Sequence, residues 1–281
     1  MPTSKFATIL RELRALQHDI RVAATYKAKT DVVINGEKKT VYEYSDRQIS
    51  RRHNQKASRL EQLKANLSEL RNKYRKHLTA KDPKQRLVAI VVALIDETYE
   101  RVGNDQSAKD RGHYGVTGWE KRHLSWKGGK AVVTYVGKSG VKQEKTVENK
   151  QVISALKDLV RGKEKNDPIF KHKDGEREFK ITAGDVNKYL QDFDISAKDL
   201  RGLHANREMS DRLKSIRKEN GDLPTNRKER KDQLNTEFNQ ALEETAEAVG
   251  HEPATLRSNY LVPSMEDQFM KHGEVPAKWD E

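Results

Sequence analysis

Residues 87–95 read Leu-Val-Ala-Ile-Val-Val-Ala-Leu-Ile, nine consecutive apolar positions in a chain of which 35% is charged. A helix that is apolar on every side has no face to give to water, so it must lie at the centre of a core with other elements wrapped around it. It is also far shorter than the ~20 residues that span a bilayer, so the expectation is a soluble protein with no membrane partner. Asp82-Pro83, just upstream, breaks the chain and sets the start of this helix. Arg101-Val102-Gly103-Asn104 marks its expected end. With 281 residues there is ample length to build a core around it.

Other segments supply the wrapping. Leu60, Leu63, Leu67, Leu70 and Tyr74 recur at alternating spacings of three and four, one apolar stripe along a long helix. Residues 5–23 read as a first helix. Residues 31–44 read as a small β-hairpin turning at Asn35-Gly36. Residues 114–147 are β-rich, with Gly128-Gly129 and Lys138-Ser139-Gly140 as turns. From Gln151 onward the pattern is helical, with Thr182 and Ser196 as N-caps. Residues 216–231 are charged, carry Gly221 and Pro224, and read as an exposed connector before a last helical region over 234–270. The N-terminus has no apolar run of signal-peptide type. The chain has no cysteine, which excludes disulfides and thiolate metal sites and fits a reducing compartment. The histidines and carboxylates show no ligand spacing, so neither a metal nor another cofactor is expected.

Charge narrows the class of partner. The formal net charge is +12, and residues 47–86 carry thirteen Lys or Arg against three acidic residues. Such a segment attracts a polyanion and releases its counterions, so binding should weaken steeply with salt. Arg47, Arg51, Arg52, Lys56 and Arg59 are the candidate DNA contacts.

Breaking a phosphodiester without a metal needs a nucleophile, cations on the non-bridging oxygens and an acid for the departing oxygen. Tyrosine suits a stored, reversible phosphoester. Arginine binds two phosphate oxygens with one fork and stays charged. Five short motifs carry these residue types in one order: Glu100-Arg101-Val102-Gly103-Asn104, Tyr135-Val136-Gly137-Lys138-Ser139-Gly140, Ala197-Lys198-Asp199-Leu200-Arg201, Val249-Gly250-His251-Glu252-Pro253 and Arg257-Ser258-Asn259-Tyr260-Leu261. Any one alone is an ordinary surface or core residue; the ordered set is specific.

On these motifs the chain resembles the type IB DNA topoisomerases, especially the compact poxviral and bacterial forms, within the catalytic superfamily they share with tyrosine recombinases. The resemblance covers residues 41–265. It implies Tyr260 as nucleophile, Arg101 and Arg201 as phosphate clamps, His251 as donor to a non-bridging oxygen and Lys138 as general acid on the 5′ oxygen. Lys198 is implied as a DNA contact or an aid to the acid. The implied fold is α+β, a mainly helical catalytic domain with a small antiparallel β-sheet; the break at Asp82-Pro83 puts that domain at 83–281, and residues 1–82 read from their own pattern as a basic helical region with a β-hairpin. The implied activity relaxes supercoiled double-stranded DNA through a 3′-phosphotyrosine, by a monomer, without metal or ATP. It belongs to an intracellular setting, cytoplasm or nucleoid, or to a virus.

Two other readings stand beside this one. A tyrosine site-specific recombinase shares the fold and most of the pentad, but typically has His three residues before its second Arg, where this chain has Lys198. A non-catalytic DNA-binding protein would need the charge but not the ordered motifs. One departure concerns the clamp: compact family members place a β-rich domain before the catalytic one, and only residues 41–59 resemble its end.

Overall fold

The structure is a computed structural model, describing residues 28–34, 37–104, 106, 108, 110, 112–137, 140–175, 177–276 and 279. The expected helix over 5–23 and the Asn35-Gly36 turn lie outside the described residues. Two compact units are distinguished, Met1–Ala57 and Ser58–Glu281.

In the first unit, strands β1 (Ala28–Ile34) and β2 (Glu37–Glu43) pair antiparallel from Ala28 opposite Glu43 to Ile34 opposite Glu37. The hairpin thus begins three residues earlier than the alternation indicates. Helix α1 (Asp46–His77) follows, and the division between units falls within it.

In the second unit the core is organised around α2 (Pro83–Thr98), where every residue from 87 to 95 is at most 4% exposed. Asp82 caps it by accepting from Lys84 N at 3.0 Å, and Pro83 opens its first turn. It stops at Thr98, with Tyr99 left-handed at φ 61°, so Arg101–Asn104 follows the helix as irregular chain and is not its end. The Leu60-to-Tyr74 stripe of α1 is buried as the spacing predicts. Truncating a Leu or Ile in such a core to Ala costs about 2–5 kcal/mol.

Strands β3 (Leu124–Lys127), β4 (Lys130–Val136) and β5 (Lys142–Val147) form one antiparallel sheet in that order. Two short 3₁₀ turns, Val116–Gly118 and Lys121–His123, occupy the start of the segment read as β-rich. Beyond α3 (Lys150–Val160) comes a second hairpin that sequence reading missed, β6 (Lys171–Asp174) with β7 (Arg177–Lys180). Thr182 and Ser196 cap α4 (Ala183–Leu190) and α5 (Ala197–Glu219), each in a reciprocal box with the Asp three residues on. The expected connector is shorter than 216–231: α5 runs to Glu219 with Ile216 buried, and α6 (Arg227–Val249) starts after Asn226. Arg217 and Asn220 converge on the carboxylate of Glu237, itself 1% exposed, which stitches α5 to α6 across the loop. The last helical region is three helices: α6, α7 (Pro253–Asn259) and α8 (Pro263–His272). No helix among the described residues is long and apolar enough to cross a membrane.

Candidate active site

The ends of α2 and α6, the start of α5, strand β5 and helix α7 meet around a cleft of about 800 Å³, lined among others by Arg101, Lys145, Lys198, Arg201, His251 and Tyr260. Arg101 is placed by backbone packing. Its carbonyl accepts from Val116 N at 3.0 Å, and a Cβ on Gly115 would fall 2.5 Å from Gly103 Cα, so only glycine allows the two segments so close. The guanidinium donates from Nε and Nη2 to the carbonyl of Tyr114 at 3.3 and 3.0 Å, which fixes the fork and leaves other donors for the cleft. Burial pulls its pKa down, and neighbouring Tyr135 and Glu100 oppose that.

Arg201 lies in the second turn of α5 and is 7% exposed. It donates from Nε to the carbonyl of Tyr99, from Nη2 to that of Val249 at 3.2 Å, and from Nη1 to the Tyr260 hydroxyl at 3.1 Å. Two carbonyls thus hold the guanidinium while its free edge addresses the phenol. Beneath it, Asp96 accepts from Arg71 Nε, Tyr74 Oη and His204 Nε2, each at 2.8 Å. Burial alone would raise the Asp96 pKa, but the hydrogen bonds from His204 and Arg71 outweigh it and hold the carboxyl well below the usual range. The His204 ring stacks on Tyr99 at 4.4 Å, and Tyr99 carries the carbonyl that holds Arg201.

His251 follows Gly250, whose φ of 68° ends α6; a Cβ there would fall 2.3 Å from Gln143 Oε1. Its ring lies against that of Tyr260, with centroids 4.4 Å apart. Tyr260 caps the C-terminus of α7, and its carbonyl accepts from Asn206 Nδ2 at 2.9 Å. Fully buried Asn206 also accepts from Val262 N at 2.9 Å, so one amide fixes the backbone on both sides of Leu261. Lys198 Nζ stands 5.8 Å from the Tyr260 ring centroid.

Arg101, Arg201, His251, Tyr260 and Lys198 are therefore gathered in one cleft. Lys138 lies outside the described residues; beside it, Gly137 lines the cleft and donates to Val141 O at 2.7 Å. Arg47, Arg51, Arg52 and Arg59 are exposed and Lys56 half-buried on α1. Arg52 lies over the Tyr44 ring at 3.8 Å, and Arg59 reaches Asp199 at 3.4 Å. Sequence reading missed Asn206, buried behind the Tyr260 backbone, and two residues that line the cleft, Gln143 and Lys145. For the last two a signal existed. On β5 the buried positions alternate as Gln143 and Val147 with Lys145 between them, so two polar side chains hold inward places where a core strand carries apolar ones.

Residues 45–275 match the family profile described as eukaryotic DNA topoisomerase I, catalytic core. The DNA topoisomerase 1B of Acanthamoeba polyphaga mimivirus is 26% identical over 187 residues, covering 64% of this chain and 53% of the viral protein. The chain thus spans about half the length of that curated relative. Among solved structures, the XerH site-specific recombinase bound to difH substrates, in pre-cleavage and post-cleavage complexes, aligns at TM-score 0.43 and 14% identity, over 76% of this chain and 52–53% of the recombinase. The profile match extends over well more than half of the sequence, and the chain belongs to the DNA topoisomerase I catalytic-core family, that of the type IB enzymes.

Proposed function

We propose that this chain relaxes supercoiled double-stranded DNA as a type IB topoisomerase, with Tyr260 as nucleophile. The observation that carries the reading is the Tyr260 hydroxyl held 3.1 Å from Arg201 Nη1 while the His251 ring lies against its own. A free phenol titrates near about pH 10, so at neutral pH it needs a strongly stabilised transition state. In the proposed step the Tyr260 oxygen forms a bond to phosphorus and gives up its proton to solvent water, and the bond from phosphorus to the 5′ oxygen breaks. Arg101, Arg201 and His251 donate to the non-bridging oxygens as charge builds there. Fixed donors of this kind are each worth about 2.7–4 kcal/mol. Lys138 protonates the departing 5′ oxygen, and Lys198 assists it or contacts the DNA.

The product is a 3′-phosphotyrosine and a free 5′ hydroxyl. The nicked duplex rotates about its intact strand, and the 5′ hydroxyl then attacks back. The phosphoester stores the energy of the broken bond, so no ATP is required. We place the catalytic domain at 83–281, and the grip on DNA on the basic region before it, through Arg47, Arg51, Arg52, Lys56 and Arg59. The enzyme acts as a monomer in whichever compartment, cellular or viral, holds its DNA. The test is plasmid relaxation in EDTA without ATP. Wild type relaxes the plasmid and Tyr260→Phe does not; equal relaxation by both would remove Tyr260 from the role.

A further inference from the structure

Two segments that carry proposed phosphate donors, the stretch after α2 and the C-terminal end of α6, are joined by two cations with little exposure. Arg201 is one: it donates to Tyr99 O on the first and to Val249 O on the second. Lys145 is the other, one residue further along on the first segment and one residue earlier on the second. Its Nζ donates to Ala248 O at 2.7 Å and stands 3.7 Å from Glu100 Oε1. Its side chain is 12% exposed and that of Glu100 5%. Glu100 Oε2 in turn accepts from the Arg101 backbone N–H at 3.3 Å.

Burying a lysine in a strand position that faces inward is costly unless its charge is used. Here the α6 carbonyls supply the negative end of a helix dipole and Glu100 a full negative charge. From this juxtaposition we propose that Lys145 is a positioning residue: its ammonium braces the Arg101-bearing segment against the His251-bearing end of α6, setting the spacing of the two groups across the cleft. The inference deepens the proposed topoisomerase function and rests on it. Burial lowers the Lys145 pKa and Glu100 opposes that, which matters because a lysine so placed could instead give up its proton. The experiment must separate the two roles.

A misplacement of about 1 Å can cost on the order of 100-fold in rate. Lys145→Met should therefore slow single-turnover cleavage of a suicide duplex by ~10- to 100-fold. Affinity for the same duplex, measured in a Tyr260→Phe background, should change less than about twofold, since a brace acts on geometry and not on one of the many phosphate contacts. Lys145→Arg, which keeps a charged donor, should recover most of the rate. On a duplex whose scissile 5′ oxygen is replaced by sulfur, a leaving group that needs no acid, the Lys145→Met defect should persist. Glu100→Gln should slow the same step, and the double variant should be no slower than Lys145→Met alone, which keeps the idea testable if one single variant folds poorly. A Lys145→Met rate within twofold of wild type would overturn the inference. So would rescue by the sulfur substrate, which would make Lys145 the proton donor. If wild type itself forms no covalent adduct, the failure lies with the topoisomerase reading and not with the brace.

Discussion

The cleft and the first turns of α1 are both cationic, yet they hold their charge in opposite ways. In the cleft, Arg201 is 7% exposed, and bonds from its Nε, Nη1 and Nη2 to Tyr99, Tyr260 and Val249 fix the guanidinium while one N–H on each of Nη1 and Nη2 stays outside those bonds. On α1, Arg47, Arg51 and Arg52 stand exposed in solvent. Leu60, Leu63, Leu67, Leu70 and Tyr74 make a buried stripe, and the same helical face continues toward the N-terminus as Lys56, Arg52 and exposed Ile49. An immobile buried donor needs no reorganisation when charge develops next to it, so it lowers a barrier. A solvated cation gains mainly from counterion release, so it strengthens binding. Under the proposed function, the difference gives rate to one region and grip to the other.

The largest effect short of removing the nucleophile should come from Arg201→Ala. Single-turnover cleavage should fall by roughly 10²- to 10³-fold with DNA affinity nearly unchanged. A variant whose loss lay wholly in affinity would erase the contrast between the two regions. Next comes the support beneath Arg201. Asp96→Ala leaves Arg71, Tyr74 and His204 without their shared acceptor and should destabilise the fold by about 3 kcal/mol in urea denaturation. The pH dependence follows from the depressed Asp96 pKa. The stabilisation is fully present above the unfolded carboxyl pKa of about 4 and drains away as pH falls from there through the lower folded value. Acid titration of wild type against Asp96→Asn should show the wild type alone losing this contribution below about pH 4; parallel curves would show that Asp96 is not held as described. The smallest effects belong to α1. Arg52→Ala or Lys56→Ala should each flatten the slope of log affinity against log salt by about 0.9 per lost phosphate contact. Cleavage at saturating DNA should stay as in wild type, and a slowed rate there would mean that grip and catalysis are not separable.

What could be read without the fold was whatever is local. Asp82-Pro83 ahead of an unbroken apolar run, the leucine stripe, and the Ser196 and Thr182 caps with an Asp three residues on are all encoded within a few positions, and the structure has them. That Arg101, Arg201, His251 and Tyr260 come together could be expected because each sits in a short recognisable motif, and the structure has all four lining one cleft. The connector was drawn too long because dense charge around Ile216 and Leu234 hides the helical period, although both are buried. The β6–β7 hairpin has strands of only four residues, too short for alternation to register. Asn206 and Lys145 act through partners 54 and 103 residues away, Tyr260 and Ala248, and no local pattern marks such pairs. Only the two polar residues at inward β5 positions left a trace.

The account depends on a phenolic oxygen becoming esterified to DNA, and peptide mapping reads that bond directly. The protein is incubated with a suicide duplex in EDTA, the covalent complex digested with protease and nuclease, and the nucleotide-bearing peptide sequenced by mass spectrometry. A 3′-linked nucleotide on Tyr260 is the predicted result. An adduct on another residue, or none while binding remains intact, would contradict it.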